Sequence, residues 1–174
     1  MSDTPTAAPT ASAASGTTRP VDPGRVGIWT GDLDMVPSAQ AKAYVAELDQ
    51  LGYGAVWIPE AVGRDPMVAA SLLLAGSSDI VLATGIASIW ARDAMSMSAA
   101  HKSITEAFPG RFLLGLGVSH QPAVDYLRGH SYDKPLSRMR AYLDARPRAR
   151  HGRHQYEFGD TGLDLAETRA RFAA

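Results

Sequence analysis

Alternating strand and helix signals at a nearly constant step constrain this chain more than any other feature. Four apolar runs begin near residues 25, 55, 80 and 111, spaced by 30, 25 and 31 residues. That spacing is one βα unit per step. Alternating units predict a parallel sheet with right-handed crossovers. Two architectures satisfy this pattern, a doubly wound open sheet and a (β/α)8 barrel, and periodicity alone does not choose between them.

The strands are read as Arg25 to Thr30 (RVGIWT), Ala55 to Glu60 (AVWIPE), Ile80 to Ser88 (IVLATGIAS) and Arg111 to Val118 (RFLLGLGV). The second is apolar almost throughout, as expected of a strand buried on both faces. Between them lie helices with start and stop signals. Ser38 is the expected N-cap of the first, whose Ala41, Val45 and Leu48 share a face. Asp65-Pro66 opens the second, with proline at the first helical position. Asp93 caps the third, which Pro109-Gly110 ends. A short helix is expected over Pro122 to Leu127 and a longer one over Pro135 to Ala145.

Both termini differ from this periodic middle. Residues 1–24 are rich in Ala, Ser, Thr and Pro and are read as a disordered leader, because they bury too little to offset ordering entropy. They lack the basic start and apolar centre of a secretory signal. No apolar run approaches the ~20 residues needed to span a bilayer. The expected location is cytoplasmic. Residues 146–174 open with RPRARHGR, and six of the fourteen arginines lie there. This tail is read either as a solvated basic linker with a loose terminal helix or as a segment translated out of frame from near Asp144 to Arg148. Residues 25–145 are the expected structured domain.

Composition removes several classes of function. There are no cysteines, which excludes disulfides, thiolate nucleophiles and Cys-ligated zinc. The formal net charge of −1 gives no electrostatic reason to expect nucleic acid or an anionic membrane as partner. No pair of histidines in the periodic region has useful metal spacing.

Ligands of parallel α/β sheets sit at the C-terminal ends of the strands. Trp29, Glu60, the Ala87-Ser88-Ile89 run, Gly117, Ser119 and His120 are therefore the candidate site residues. Glu60 and His120 are the catalytic candidates, as general base or as a polar group facing a ligand. The small residues closing the third strand, Thr84-Gly85 and Ala87-Ser88-Ile89, would let a planar ring approach the backbone, with Trp29 and Trp90 flanking it. Trp57 is read as a core residue. Gly115 and Gly117 lie inside a strand, where glycine often marks close approach of a ligand or another backbone. GLG followed by VSH is not a dinucleotide fingerprint, because the third glycine is missing.

The run AAHKSITEAFPGRFLLGLGVSH, Ala99 to His120, resembles the luciferase-like monooxygenase family. AVWIPE and IVLATGIASIWAR also resemble that family, in particular its actinobacterial branch that uses the deazaflavin coenzyme F420. The resemblance runs from about Val26 to Asp144. It implies the first four βα units of a (β/α)8 (TIM) barrel, with F420, or FMN as the alternative, over the C-terminal strand ends. Hydride would pass between the cofactor and a small organic substrate. A non-prolyl cis peptide at the end of strand three would put Ala87, Ser88 and Ile89 against the ring. Gly117, Ser119 and His120 would approach cofactor backbone or phosphate, with Glu60 near the reacting centre. Family members have about twice this ordered length. The expectation is therefore a half-barrel that is an inactive or weakly binding fragment, or one that pairs as a homodimer.

Overall fold

The computed structural model describes residues 20–145, together with Asp164, Ala166 and Arg169. The expected leader up to residue 19 and the out-of-frame reading of the tail lie outside the described residues. Among the described residues are six short strands: β1 (Gly27–Trp29), β2 (Ala55–Ile58), β3 (Val81–Thr84), β4 (Ala87–Ser88), β5 (Phe112–Leu113) and β6 (Leu116–Gly117). Four α-helices alternate with them: α1 (Ser38–Gln50), α2 (Pro66–Leu74), α3 (Ala94–Ala107) and α4 (Pro135–Ala145). A 3-10 turn (Asp32–Met35) follows β1, and a π-helical turn (Ala123–Leu127) precedes α4.

Strand order decides between the two architectures left open by periodicity. All pairings are parallel, and the main sheet runs β1-β2-β3-β5, with β4-β6 continuing the last pair. A doubly wound sheet reverses its order at a switch point. Here order in space follows order in sequence, and each helix packs on the next, α1 on α2, α2 on α3, α3 on α4. This is the singly wound arrangement of a barrel wall, covering four βα units. Among the described residues the wall does not close.

The core lies between sheet and helices. Val56, Ile58, Leu82 and Phe112 project from the strands onto Val45, Met67, Leu73, Leu74, Met97 and Ile104 of the helices. Ala55, Val81 and Ala83 fall on the opposite parity of the pleat and do not join that cluster, although each is buried. Trp57 shares their parity and is half-buried, so it belongs to the inner face of the wall and not to the helix-side core.

Two strands read as continuous are broken. The third splits into β3 and β4 around a cis Gly85-Ile86 peptide, and the fourth into β5 and β6 around Leu114-Gly115. The breaks face each other. Thr84, fully buried, donates from Oγ1 to the Gly115 carbonyl and accepts from the Gly115 N–H, both at 2.8 Å. A Cβ on Gly115 would lie 2.1 Å from the Thr84 carbonyl oxygen, so only glycine allows the two backbones to approach.

Helix signals were local and translated directly. Asp65 accepts from the N–H groups of Met67 and Val68, with Pro66 at the first helical position. Asp93 accepts from the Ser96 N–H. The first helix departs from expectation. Pro37 occupies its N-cap position and no side chain caps it, so Ser38 is the first helical residue.

Candidate active site

The C-terminal ends of the strands open onto a cleft of about 840 Å³, within the usual size range of small-molecule sites. Four strand ends contribute walls. Trp29 ends β1 and Gly31 follows it, Pro59 and Glu60 follow β2, Gly85 and Ile86 follow β3, and Ser119 and His120 follow β6. The loop leading into α2 adds Ala61 to Asp65, and the turn before α4 adds Ala123, Leu127 and Arg128.

Trp29 is the most exposed of the aromatic candidates, at 62%. Its ring is nevertheless fixed, because the indole N–H donates to the Gly85 carbonyl at 2.7 Å. A Cβ on Gly85 would stand 3.1 Å from the indole Cδ1 and Nε1 atoms, so the missing side chain lets the ring lie against the strand break. The cleft thus carries a flat apolar wall next to bare backbone. That combination admits a planar heteroaromatic ring, and to this extent the residues present fit a flavin or deazaflavin.

The small residues that meet the cleft differ from those expected. Ala87 and Ser88 are fully buried and Ile89 is 8% exposed, and none of the three lines the cleft. The cis peptide lies two residues before Ala87, at Gly85-Ile86, and these two residues form the wall instead. Beyond that bond the backbone continues to pair, with Ala87 N–H donating to the Gly115 carbonyl at 2.7 Å, which draws 87–89 into the sheet. Gly117 also stays out of the cleft. The space beside its Cα is filled by Ile86, whose Cγ1 would be 2.7 Å from an added Cβ. Its role is to seat Ile86.

Ser119 and His120 do reach the cleft. Ser119 holds a left-handed backbone, φ 59°, which turns the chain out of β6. The His120 ring is exposed, and nothing among the described residues hydrogen-bonds it. Trp90 lies behind this turn. It donates to the Val118 carbonyl at 2.7 Å and receives the Arg138 guanidinium 4.8 Å above its ring.

Glu60 sits at the centre of the polar side, 6% exposed. Arg92 grips it bidentately, with Nη1 to Oε2 and Nη2 to Oε1 both at 2.9 Å. Arg128 reaches Oε1 at 3.2 Å, and the Ser88 N–H reaches Oε2 at 2.7 Å. Arg92 also pairs with Asp65 at 2.7 Å. Burial alone would lower the Arg92 pKa, but hydrogen bonds and charge from Glu60 and Asp65 outweigh it and hold the guanidinium above its ordinary value. Burial likewise pushes Asp65 up, and the Val68 N–H, Arg92 and the Met67 N–H together bring its carboxyl below the ordinary value. Arg64 turns away from this cluster and donates to the carbonyls of Leu33 and Val36, fastening the 3-10 turn.

Of the candidates read from sequence, the structure brings Trp29, Glu60, Ser119 and His120 together and leaves Ala87, Ser88, Ile89 and Gly117 behind them. Ile86, Arg92 and Arg128 were missed, and Gly85 was read only as one of the small residues closing the third strand. Arg92 and Arg128 stand 32 and 68 residues from Glu60, and no local spacing marks either pairing. Gly85 carried a usable signal, a glycine inside an otherwise apolar strand.

The luciferase-like monooxygenase family model matches residues 10–171. A Mycobacterium tuberculosis protein, by name a putative coenzyme F420-dependent oxidoreductase, is 28% identical over 120 residues, covering 69% of this chain and 35% of that protein. The 5,10-methylenetetrahydromethanopterin reductase of Methanolobus tindarius is 30% identical over 120 residues, covering 67% of this chain and 36% of the reductase. Among solved structures, the oxygenating constituent of 3,6-diketocamphane monooxygenase from Pseudomonas putida, in complex with FMN, superposes with a TM-score of 0.58 at 14% identity. That match covers 68% of this chain and 37% of the monooxygenase. The matched segment thus spans about a third of the length of these relatives. The family model covers most of the chain and the sequential parallel strand order is that of a barrel wall, and the chain belongs to the luciferase-like monooxygenase family.

Proposed function

We propose that the chain supplies the first half of an oxidoreductase site that holds coenzyme F420, with FMN as the second reading. The observation that carries this is the wall formed by Trp29 and Gly85-Ile86, an indole face fixed beside bare backbone at the C-terminal strand ends. Bound there, the coenzyme would supply hydride transfer to or from a small organic substrate.

The chain's own residues take separate parts. Trp29 offers a ring face for stacking, and the absence of a side chain at Gly85 allows close approach. Ile86, Leu127 and Pro59 exclude water from the apolar side of the cleft. Ser119 can hydrogen-bond a polar edge of the ligand. His120 is the group placed to give or take a proton, since its imidazole is exposed to the cleft and has no hydrogen-bond partner among the described residues. A second copy of the chain is the partner that the free edge of β1 would accept, since β2 is its only neighbour among the described strands.

Titration of the purified chain with F420 and, separately, with FMN tests the reading through quenching of tryptophan fluorescence. Saturable quenching by F420 that disappears in Trp29→Ala is expected. Saturation by FMN alone would favour the second reading, and saturation by neither would sink both. Size-exclusion mass in the same samples tests the homodimer.

A further inference from the structure

Glu60 holds one short segment at both ends. Its backbone N–H donates to the Ile86 carbonyl at 3.1 Å. Its carboxylate accepts from the Ser88 N–H at 2.7 Å. Ala87, the start of β4, lies between these two bonds, and the cis Gly85-Ile86 peptide lies directly before the first of them. The same carboxylate accepts two bonds from Arg92 and one from Arg128. Its donors therefore come from β4, from the loop before α3 and from the chain after the π-helical turn.

An ionised carboxylate has about four lone-pair sites. Here four bonds occupy two sites on each oxygen. A general base needs a lone pair within reach of the proton it removes. Glu60 would have to release a guanidinium or the Ser88 amide before it could act in that way. Its side chain is also nearly buried, at 6% exposed.

We infer that Glu60 is a positioning residue: through its bonds to Ile86 and Ser88 it fixes the Gly85-Ile86 wall of the cleft, it holds Arg128 at the rim, and it does not carry a proton in turnover. This rests on the reading of that wall as the coenzyme's seat. The Glu60→Gln variant of the full chain tests it with two readouts. Amide hydrogen exchange over residues 85–89 should rise about tenfold or more, the size expected from weakening a charge-assisted bond, while exchange in α1 and α2 stays unchanged. The dissociation constant for whichever of F420 and FMN the wild type binds should rise about tenfold, and any turnover should keep its pH profile.

Unchanged exchange at 85–89 would overturn the inference. So would an unchanged dissociation constant with turnover abolished, the pattern of a lost base. If the wild type binds neither coenzyme, the reading of the seat fails, but the exchange measurement still decides whether Glu60 fixes the wall. If Glu60→Gln does not fold, Glu60→Asp decides. Its charge still serves both guanidinium groups, but the side chain is one methylene shorter and loses the Ser88 N–H, so faster exchange at 85–89 is again expected.

Discussion

The Trp29 indole N–H donates to the Gly85 carbonyl at 2.7 Å, joining the ends of β1 and β3 across 56 residues of chain. The bond crosses β2 on the inner face of the wall, where Trp57 lies within contact distance of the Gly85 position. An exposed tryptophan would otherwise sample several rotamers. This one is held in a single orientation by a partner that is itself backbone.

Trp29→Phe keeps a flat ring but removes the donor and part of the ring area. Because the site is open to water, the Gly85 carbonyl can be solvated, and a stability loss of about 1 kcal/mol or less is expected. Urea unfolding measures it. A loss above about 3 kcal/mol would place Trp29 among core-packing aromatics, for which truncation costs that much.

Gly115→Ala should be far more costly than Gly52→Ala. The first puts a methyl group 2.1 Å from the Thr84 carbonyl oxygen, where backbone must move. Overpacking of this kind costs about 3 kcal/mol at the upper end of its range. Gly52 has φ +82° but nothing within 4 Å of an added Cβ, so only the left-handed backbone opposes alanine, at about 1 kcal/mol. Equal midpoints for the two variants in a urea series would refute the close approach of the broken strands.

Much of this fold is written in short-range signals, and much of the site is not. Asp65-Pro66 and Asp93 mark helix starts because capping is decided within three residues. The four apolar runs mark strands because burial of both sheet faces needs no distant information. The breaks at Gly85 and Gly115 depend on each other through Thr84, so neither glycine alone says whether a strand bends or merely weakens. The displacement of the wall from Ala87–Ile89 to Gly85-Ile86 has the same origin. Glu60 was visible as a carboxylate ending an apolar strand. Its arginine partners were not, because ion pairs between the ends of different strands leave no periodic trace.

Arg92→Ala should be among the most destabilising single changes in the site. It removes two of the four bonds to a carboxylate that is 6% exposed and leaves that charge half-compensated. Breaking a buried pair from one side costs about 3–5 kcal/mol. Arg92→Lys keeps the charge but cannot make the bidentate pair, and an intermediate loss is expected. Thermal unfolding of the three proteins checks the ranking. A Lys variant as unstable as Ala would mean that geometry alone matters, and two variants indistinguishable from wild type would dissolve the cluster as a structural element.

At the opposite end of the sheet, Asp49 makes acid stability a local property. Its carboxylate accepts from the N–H groups of Ser78, Asp79 and Ile80 at 2.6, 3.2 and 2.9 Å, tying the end of α1 to the entry of β3. Burial pushes its pKa up, but the three N–H groups and the Arg111 charge outweigh that and bring it below the ordinary 3.8. A carboxyl depressed in the folded state contributes stability that is fully present above its unfolded value and is lost as pH falls through the folded one. The contribution should therefore be intact at neutral pH and disappear below about pH 4. Asp49→Asn cannot ionise, so it should be less stable than wild type at pH 7, and the gap should narrow as the pH falls towards 2. Urea midpoints at pH 7, 5, 4 and 3 measure both arms. A gap that stays constant across that range would show that the amide replaces the carboxylate's hydrogen bonds and that charge contributes nothing at this corner.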